Sequence, residues 1–148
     1  MVIDPATEAG ARVTERLRDD VVAWLVTVAA DGTPVPTPIW FVWDGETILL
    51  YSQPDKPKLR HIAAKPRVAV ALRTDVHGDI VTVVTGEASV DLAAPRADAV
   101  ATYVEKYDSF IRGLGFDRAG FAAEYSVPIR IRPTRVRHWE SESVTPDA

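Results

Sequence analysis

Between Ser52 and Lys58 the sequence sets a hydroxyl, a carboxamide and two ammonium groups close together, in "SQPDKPK". Such a set can hold an anion. Pro57 opens a short predicted helix over "PKLRHIAAKP", with Leu59 and Ile62 on its apolar side and Pro66 as its stop. The free N–H groups at a helix start carry partial positive charge and favour a phosphate. Lys56 stands just before that turn and Lys58 within it, while Ser52 and Gln53 end the preceding strand and supply neutral hydrogen bonds. The same cations equally describe a solvated basic helix face. Arg60, Lys65 and Arg67, read as surface cations, continue the run towards Arg73, with no carboxylate from 56 to 73. The chain as a whole has 17 Lys and Arg against 21 Asp and Glu, so the basic segment is a local exception. Near the C-terminus Arg130, Arg132, Arg135 and Arg137 repeat the theme, to meet either an acidic ligand tail or solvent. Pro133 breaks the strand register between them.

Pro34, Pro36 and Pro38 occupy alternate positions and so remove three N–H donors from one strand edge. Either the prolines guard an exposed edge or a ligand or partner chain lies along the gap. Thr37, between Val35 and Ile39 on the same face, is a lone hydroxyl among apolar neighbours. Trp40 and Trp43 point to opposite faces, one for the core and one for a ligand or a subunit. Other chemistry is sparse. His61, His77 and His138 stand apart without metal-ligand spacing, there is no cysteine, and the carboxylates are scattered. No nucleophile elbow, Walker or dinucleotide fingerprint is present. A protein without reactive groups of its own borrows them, and hydride transfer from a bound cofactor suits that situation.

The elements that must position these groups follow from patterning. At 148 residues, 47% hydrophobic and 26% charged, the chain reads as one ordinary domain over 1–140 with a polar tail at 141–148. A net charge of −4 argues against nucleic acid as a partner. No apolar run approaches the roughly 20 residues that span a bilayer, so the expectation is a cytoplasmic protein without a membrane partner. Asp4-Pro5 reads as the start of a helix with Ala9, Val13 and Leu17 on one face. Val21 to Ala30 reads as a strand buried on both faces, followed by an Asp31-Gly32 turn, "PVPTPIWFVW", an Asp44-Gly45 turn and "TILLYS", together a three-strand meander. Two further strands, "RVAVALR" and "IVTVVTGEASVD", precede a helix starting at Pro95 with Tyr103, Tyr107 and Ile111 at helical spacing. A short helix at "FDRAGFAAEY" and a strand at "SVPIRIRPTRVRHW" complete a mainly β, α+β chain. The predicted architecture is an antiparallel barrel decorated by helices.

From Val21 to Trp139 the sequence resembles the split β-barrel flavin and deazaflavin oxidoreductases, the superfamily of pyridoxamine 5′-phosphate oxidase. The stretches that carry the resemblance are "WLVTVAADGTPVPTPIWFVWDG" and "LLYSQPDKPKLRHIAAKPRVAV". It is most similar to the actinobacterial branch that uses coenzyme F420. The resemblance implies an F420-dependent oxidoreductase passing a hydride to a small electron-poor acceptor. It implies Lys58 on the cofactor phosphate with Lys56, Ser52 and Gln53 assisting, and the backbone of Thr37, Pro38, Ile39 and Trp40 against the ring system. It further implies a homodimer with cofactor at the subunit interface, Trp139 reaching across, and basic residues screening an anionic cofactor tail. In the oxidases an arginine contacts the FMN phosphate near the position that Thr37 holds here, which favours F420 over FMN. FMN remains the alternative cofactor, and a non-catalytic F420 or anionic-ligand binder or a haem-binding relative the alternative roles.

Overall fold

A computed structural model describes residues 1–141. Strands β1 (Ala23–Val28), β2 (Pro34–Ile39), β3 (Val42–Trp43), β4 (Ile48–Ser52), β5 (Arg67–Ala71), β6 (Ile80–Val90) and β7 (Val127–Glu140) form one antiparallel sheet. Helices are α1 (Glu8–Asp19), α2 (Pro57–Ala64), α3 (Ala101–Gly113) and α4 (Arg118–Glu124). The sheet order is β2-β1-β5-β6-β7-β4-β3, curled into the half-barrel of the split-barrel fold.

Its spine is the long β6–β7 pair, which bends at a bulge between Thr85 and Gly86 opposite Pro133. Both residues suit that bend. Pro133 has no N–H to lose from the ladder, and a Cβ on Gly86 would stand 2.4 Å from the Arg132 carbonyl oxygen. The expected register break thus falls where Pro133 placed it.

β4 is buried on both faces because it lies between two cores. Ile48 and Leu50 face the aliphatic cluster inside the curl, with Val13 and Leu17 of α1, Leu25, Val70, Val84, Ile129 and Ile131. Leu49 and Tyr51 face an aromatic cluster built by Tyr103, Tyr107 and Ile111 of α3 and Phe121 of α4. α2 forms as expected, with Pro57 at its first turn and Ile62 buried.

Several local expectations are corrected. α1 starts at Glu8, capped by Thr7, whose hydroxyl accepts from the Gly10 N–H at 3.0 Å. Asp4 instead closes the turn before it, accepting from the Ala6 N–H at 2.9 Å. Gly10 rather than Ala9 takes the buried place, because any Cβ there would strike the Asp4 carbonyl. β1 is not buried on both faces: it alternates, and Trp24 is 50% exposed. The meander is interrupted, since β2 pairs with β1 at one edge while β3 pairs with β4 at the other. The helix expected at Pro95 begins at Ala101, after a 3-10 turn at Ala97–Ala99. The proposed tail falls outside the described residues, apart from Ser141, whose N–H donates to the Asp79 carbonyl at 2.7 Å.

The proline strand is an outer strand, as its missing donors require. Pro34, Pro36 and Pro38 stand opposite Val28, Val26 and Trp24. Because prolines cannot donate, Val35, Thr37 and Ile39 must make the N–H bonds to β1, and the proline nitrogens face the free edge.

Candidate functional site

The end of β2, the end of β4 and the start of α2 converge beneath the α3–α4 pair. A pocket of about 190 Å³ opens there. One wall is Pro38 and Ile39 of β2 with Trp40 of the following connector. The base is Tyr51 of β4 and Tyr103 of α3, and the far wall is Leu114, Phe121 and Tyr125. Lys58 of α2 is the one cation that lines it.

The walls are aromatic faces held against one another. Trp40 stacks on Tyr107 with ring centres 4.9 Å apart and planes at 9°, and on Phe121 at 5.7 Å and 22°. Phe121 in turn stacks on Tyr125 at 4.4 Å, and Tyr51 meets Tyr103 edge-on at 5.1 Å. Trp40 therefore serves as pocket wall and aromatic core together, whereas Trp43 packs against the aliphatic cluster. Tyr51 donates to the Pro95 carbonyl at 2.7 Å, and burial pushes its phenol up to about 12. Burial and the neighbouring tyrosines also raise Tyr103. Both phenols stay protonated at neutral pH.

Lys58 has the electrostatics of a cation waiting for an anion. Burial, and then repulsion from Lys56, lower its pKa, and no carboxylate offsets them. An incoming phosphate would supply the missing counter-charge.

Of the residues singled out in the sequence, the fold brings Pro38, Ile39, Trp40 and Lys58 to this pocket. Thr37 is half-buried on β2 opposite Leu25 and is not among the lining residues. Ser52 is buried, with its hydroxyl donating to the Gln53 carbonyl at 2.7 Å, so it shapes the strand end. The Gln53 carboxamide donates to Glu124 at 3.0 Å and ties that strand end to α4. Lys56 is the exposed residue preceding α2. Trp139 lies at the opposite end of β7, paired with Val81 and 47% exposed, with the Arg137 guanidinium 6.0 Å over its ring.

The distribution of cations also needs correction. Arg130 is neither a ligand-tail residue nor solvated: it donates to Asp91 at 2.8 Å and to Asp44 at 2.9 Å. Arg132, by contrast, faces solvent as expected, its side chain 63% exposed while it pairs with Glu87 at 2.8 Å across the β6–β7 ladder. Lys65 is no idle surface charge either, since its ammonium donates to the Ala29 and Ala30 carbonyls at 3.2 and 3.3 Å and pins the β1–β2 turn.

Tyr51, Tyr103, Leu114, Phe121 and Tyr125 were not foreseen as site residues. Their signal was present as aromatic enrichment from Tyr103 to Tyr125. At helical spacing, however, such a stripe reads as core.

Comparison with known proteins agrees with this architecture. A solved structure named F420 reductase is 27% identical, covering 83% of this chain and 94% of its own, with a TM-score of 0.65. A conserved hypothetical protein of Mycobacterium tuberculosis is 23% identical over 90% of this chain and 84% of its own, with a TM-score of 0.67. HutZ, a heme storage protein from Vibrio cholerae, shares the fold at 15% identity, 90% and 96% coverage and a TM-score of 0.61. No curated protein matches the sequence. The family model described as pyridoxamine 5′-phosphate oxidase matches residues 10–140. With that match spanning nearly the whole described chain, and the same curled sheet in its structural relatives, the protein belongs to the pyridoxamine 5′-phosphate oxidase family.

Proposed function

We propose that this protein is an F420-dependent oxidoreductase acting on a small electron-poor acceptor. The observation that carries this reading is Lys58, a half-buried cation without a carboxylate partner beside an aromatic pocket and a proline-interrupted edge. The 27% identity to a protein named F420 reductase supports the choice of cofactor. Bound there, the deazaflavin would supply a hydride. Lys58 would bind the phosphate, assisted by Lys56 from the exposed side of the same helix start. The backbone from Thr37 to Trp40 would orient the ring system, because three missing N–H groups leave that edge unable to pair with another strand. Ser52 and Gln53 hold the strand end that aims Lys58. The aromatic walls exclude water from the reacting groups, and orientation of this kind is worth several kcal/mol when geometry is good.

The working form in this reading is a cytoplasmic homodimer. Its support is Trp24 at 50% exposure and Trp139 at 47%, large apolar surfaces that a second copy would cover. Trp139 would then contribute to the partner's cofactor rather than to its own. No described helix is long and apolar enough to cross a membrane.

Family membership favours a second reading, in which FMN occupies the same place. Titrating the cofactor-free protein with F420 and with FMN at identical salt separates them. Saturable F420 binding with weak FMN binding is the expected result. Tight FMN without F420 would move the protein to the flavin enzymes. Absence of both would leave Lys58 a solvated cation and end the proposal. A protein that binds F420 but turns over no acceptor would be a carrier.

A further inference from the structure

We propose that the groove between the end of α1, β3 and the start of α3 is a second ligand site, taking a small carboxylate with an apolar body that pairs with the Lys106 ammonium. The groove holds about 540 Å³, within the range of small-molecule sites, and shares no lining residue with the aromatic pocket. Val21, Val42 and Trp43 give it apolar surface, and Thr102 adds an exposed hydroxyl in the first turn of α3.

The charges along the groove are unevenly matched. Arg18 and Asp19 pair with each other at 2.8 Å. Glu105 is exposed, so water and salt screen it. Lys106 is different. Its ammonium donates to the Phe41 and Leu17 carbonyls at 3.0 and 3.4 Å, and among the described residues it has no carboxylate within ion-pair distance. Those carbonyls belong to the peptide bonds that lead into Val42 and Arg18, which line the groove from β3 and from α1. The ammonium therefore sits where the two walls meet.

Two carbonyl oxygens take two of the three N–H groups of an ammonium and leave its net charge uncompensated. Asp20 and Asp19 act on Lys106 from further away, but burial outweighs them and lowers its pKa to about 8. A half-buried cation without a counter-ion, lining a cavity, is the arrangement that a bound anion completes. A single ammonium is a compact point charge, which matches one negative charge rather than a phosphate dianion. The valines and Trp43 call for an apolar body behind that charge.

The test is an NMR titration of the full chain at neutral pH with phenylacetate, its neutral isostere phenylacetamide, and acetate. The Trp43 indole N–H, assigned through Trp43→Phe, reports occupancy. Wild type should bind phenylacetate about tenfold more tightly than phenylacetamide, the worth of one charge-assisted bond. Acetate, which lacks the apolar body, should bind more weakly than phenylacetate. Lys106→Gln removes the charge but keeps a carboxamide that can donate to both carbonyls, so the preference for the acid should vanish. Thr102→Glu suits the first turn of a helix and sets a carboxylate in the groove. It should weaken phenylacetate severalfold and leave phenylacetamide unchanged. Melting temperatures check that both variants fold, and if Lys106→Gln does not, the wild-type pair and Thr102→Glu decide alone. Equal affinities for acid and amide in wild type, a preference unmoved by the variants that fold, acetate binding as tightly as phenylacetate, or no saturable binding would each overturn the proposal.

Discussion

The Lys106 ammonium lies 4.0 Å from the centre of the Phe41 ring and 3.0 Å from the Phe41 carbonyl oxygen, so it holds both the side chain and the backbone of one residue. It also reaches the Leu17 carbonyl, at 3.4 Å, at the end of α1. Next to it on α3, the Tyr107 hydroxyl accepts from the Phe41 N–H at 2.8 Å and donates to the Val21 carbonyl at 2.6 Å. These contacts fasten α3 to the connector between β2 and β3. That connector carries Trp40, and therefore one wall of the candidate site.

Lys106 predicts a pH dependence of stability. Burial lowers its pKa from 10.5 to about 8, against the opposing pull of Asp20 and Asp19. Between those values the unfolded chain binds more protons than the folded one, so this group makes stability rise with pH across that window. Urea midpoints of wild type and Lys106→Met, compared at several pH values from neutral to the upper limit of the window, should diverge in favour of wild type as pH rises. A constant difference would mean that the ammonium is not desolvated.

Tyr107→Phe keeps the ring that stacks on Trp40 but strips the Phe41 N–H of its acceptor and the Val21 carbonyl of its donor. Leaving buried partners unsatisfied should cost about 1–3 kcal/mol, read as a lower urea midpoint with an unchanged slope. If the midpoint holds, water reaches this connector.

Lys58 and Arg130 should separate sharply in binding. Loss of a charge-assisted bond in Lys58→Ala should weaken F420 binding by about 1.5–3 kcal/mol. Arg130→Gln should leave F420 affinity unchanged, because that guanidinium is spent on Asp91 and Asp44. Reversal of the two results would relocate the phosphate.

Gly86→Ala tests the bulge. Its Cβ would meet backbone, the Arg132 carbonyl oxygen at 2.4 Å, with the Ile131 methyl at 3.1 Å. Neither neighbour is a flexible side-chain end. A loss of about 1–3 kcal/mol, the usual cost of overpacking, is expected in denaturation, whereas Gly113→Ala, with open space around it, should retain wild-type packing.

Residues near in sequence made much of the fold legible. Pro57 and Pro66 bracket α2, and the Asp-Gly turns sit where Gly32 and Gly45 adopt φ of 88° and 96°. Alternate prolines marked β2 as an edge, since a missing N–H acts within its own strand. Strand partners were less legible. The short β3 pairs with β4 rather than extending the first hairpin, because β4 has a core on each face and leaves its outer edge beside β3.

The candidate site divides along the same line. Lys56, Lys58 and the proline edge are read from composition and spacing, because like charges and absent donors are properties of the residues themselves. That Lys58 shares a pocket with Pro38, Trp40 and Tyr103 was decided only in three dimensions. Helical spacing says that Tyr103 and Phe121 face inward. Whether they meet packed side chains or an open pocket depends on the gap that α3 and α4 leave above β4, a distance between elements far apart in the chain.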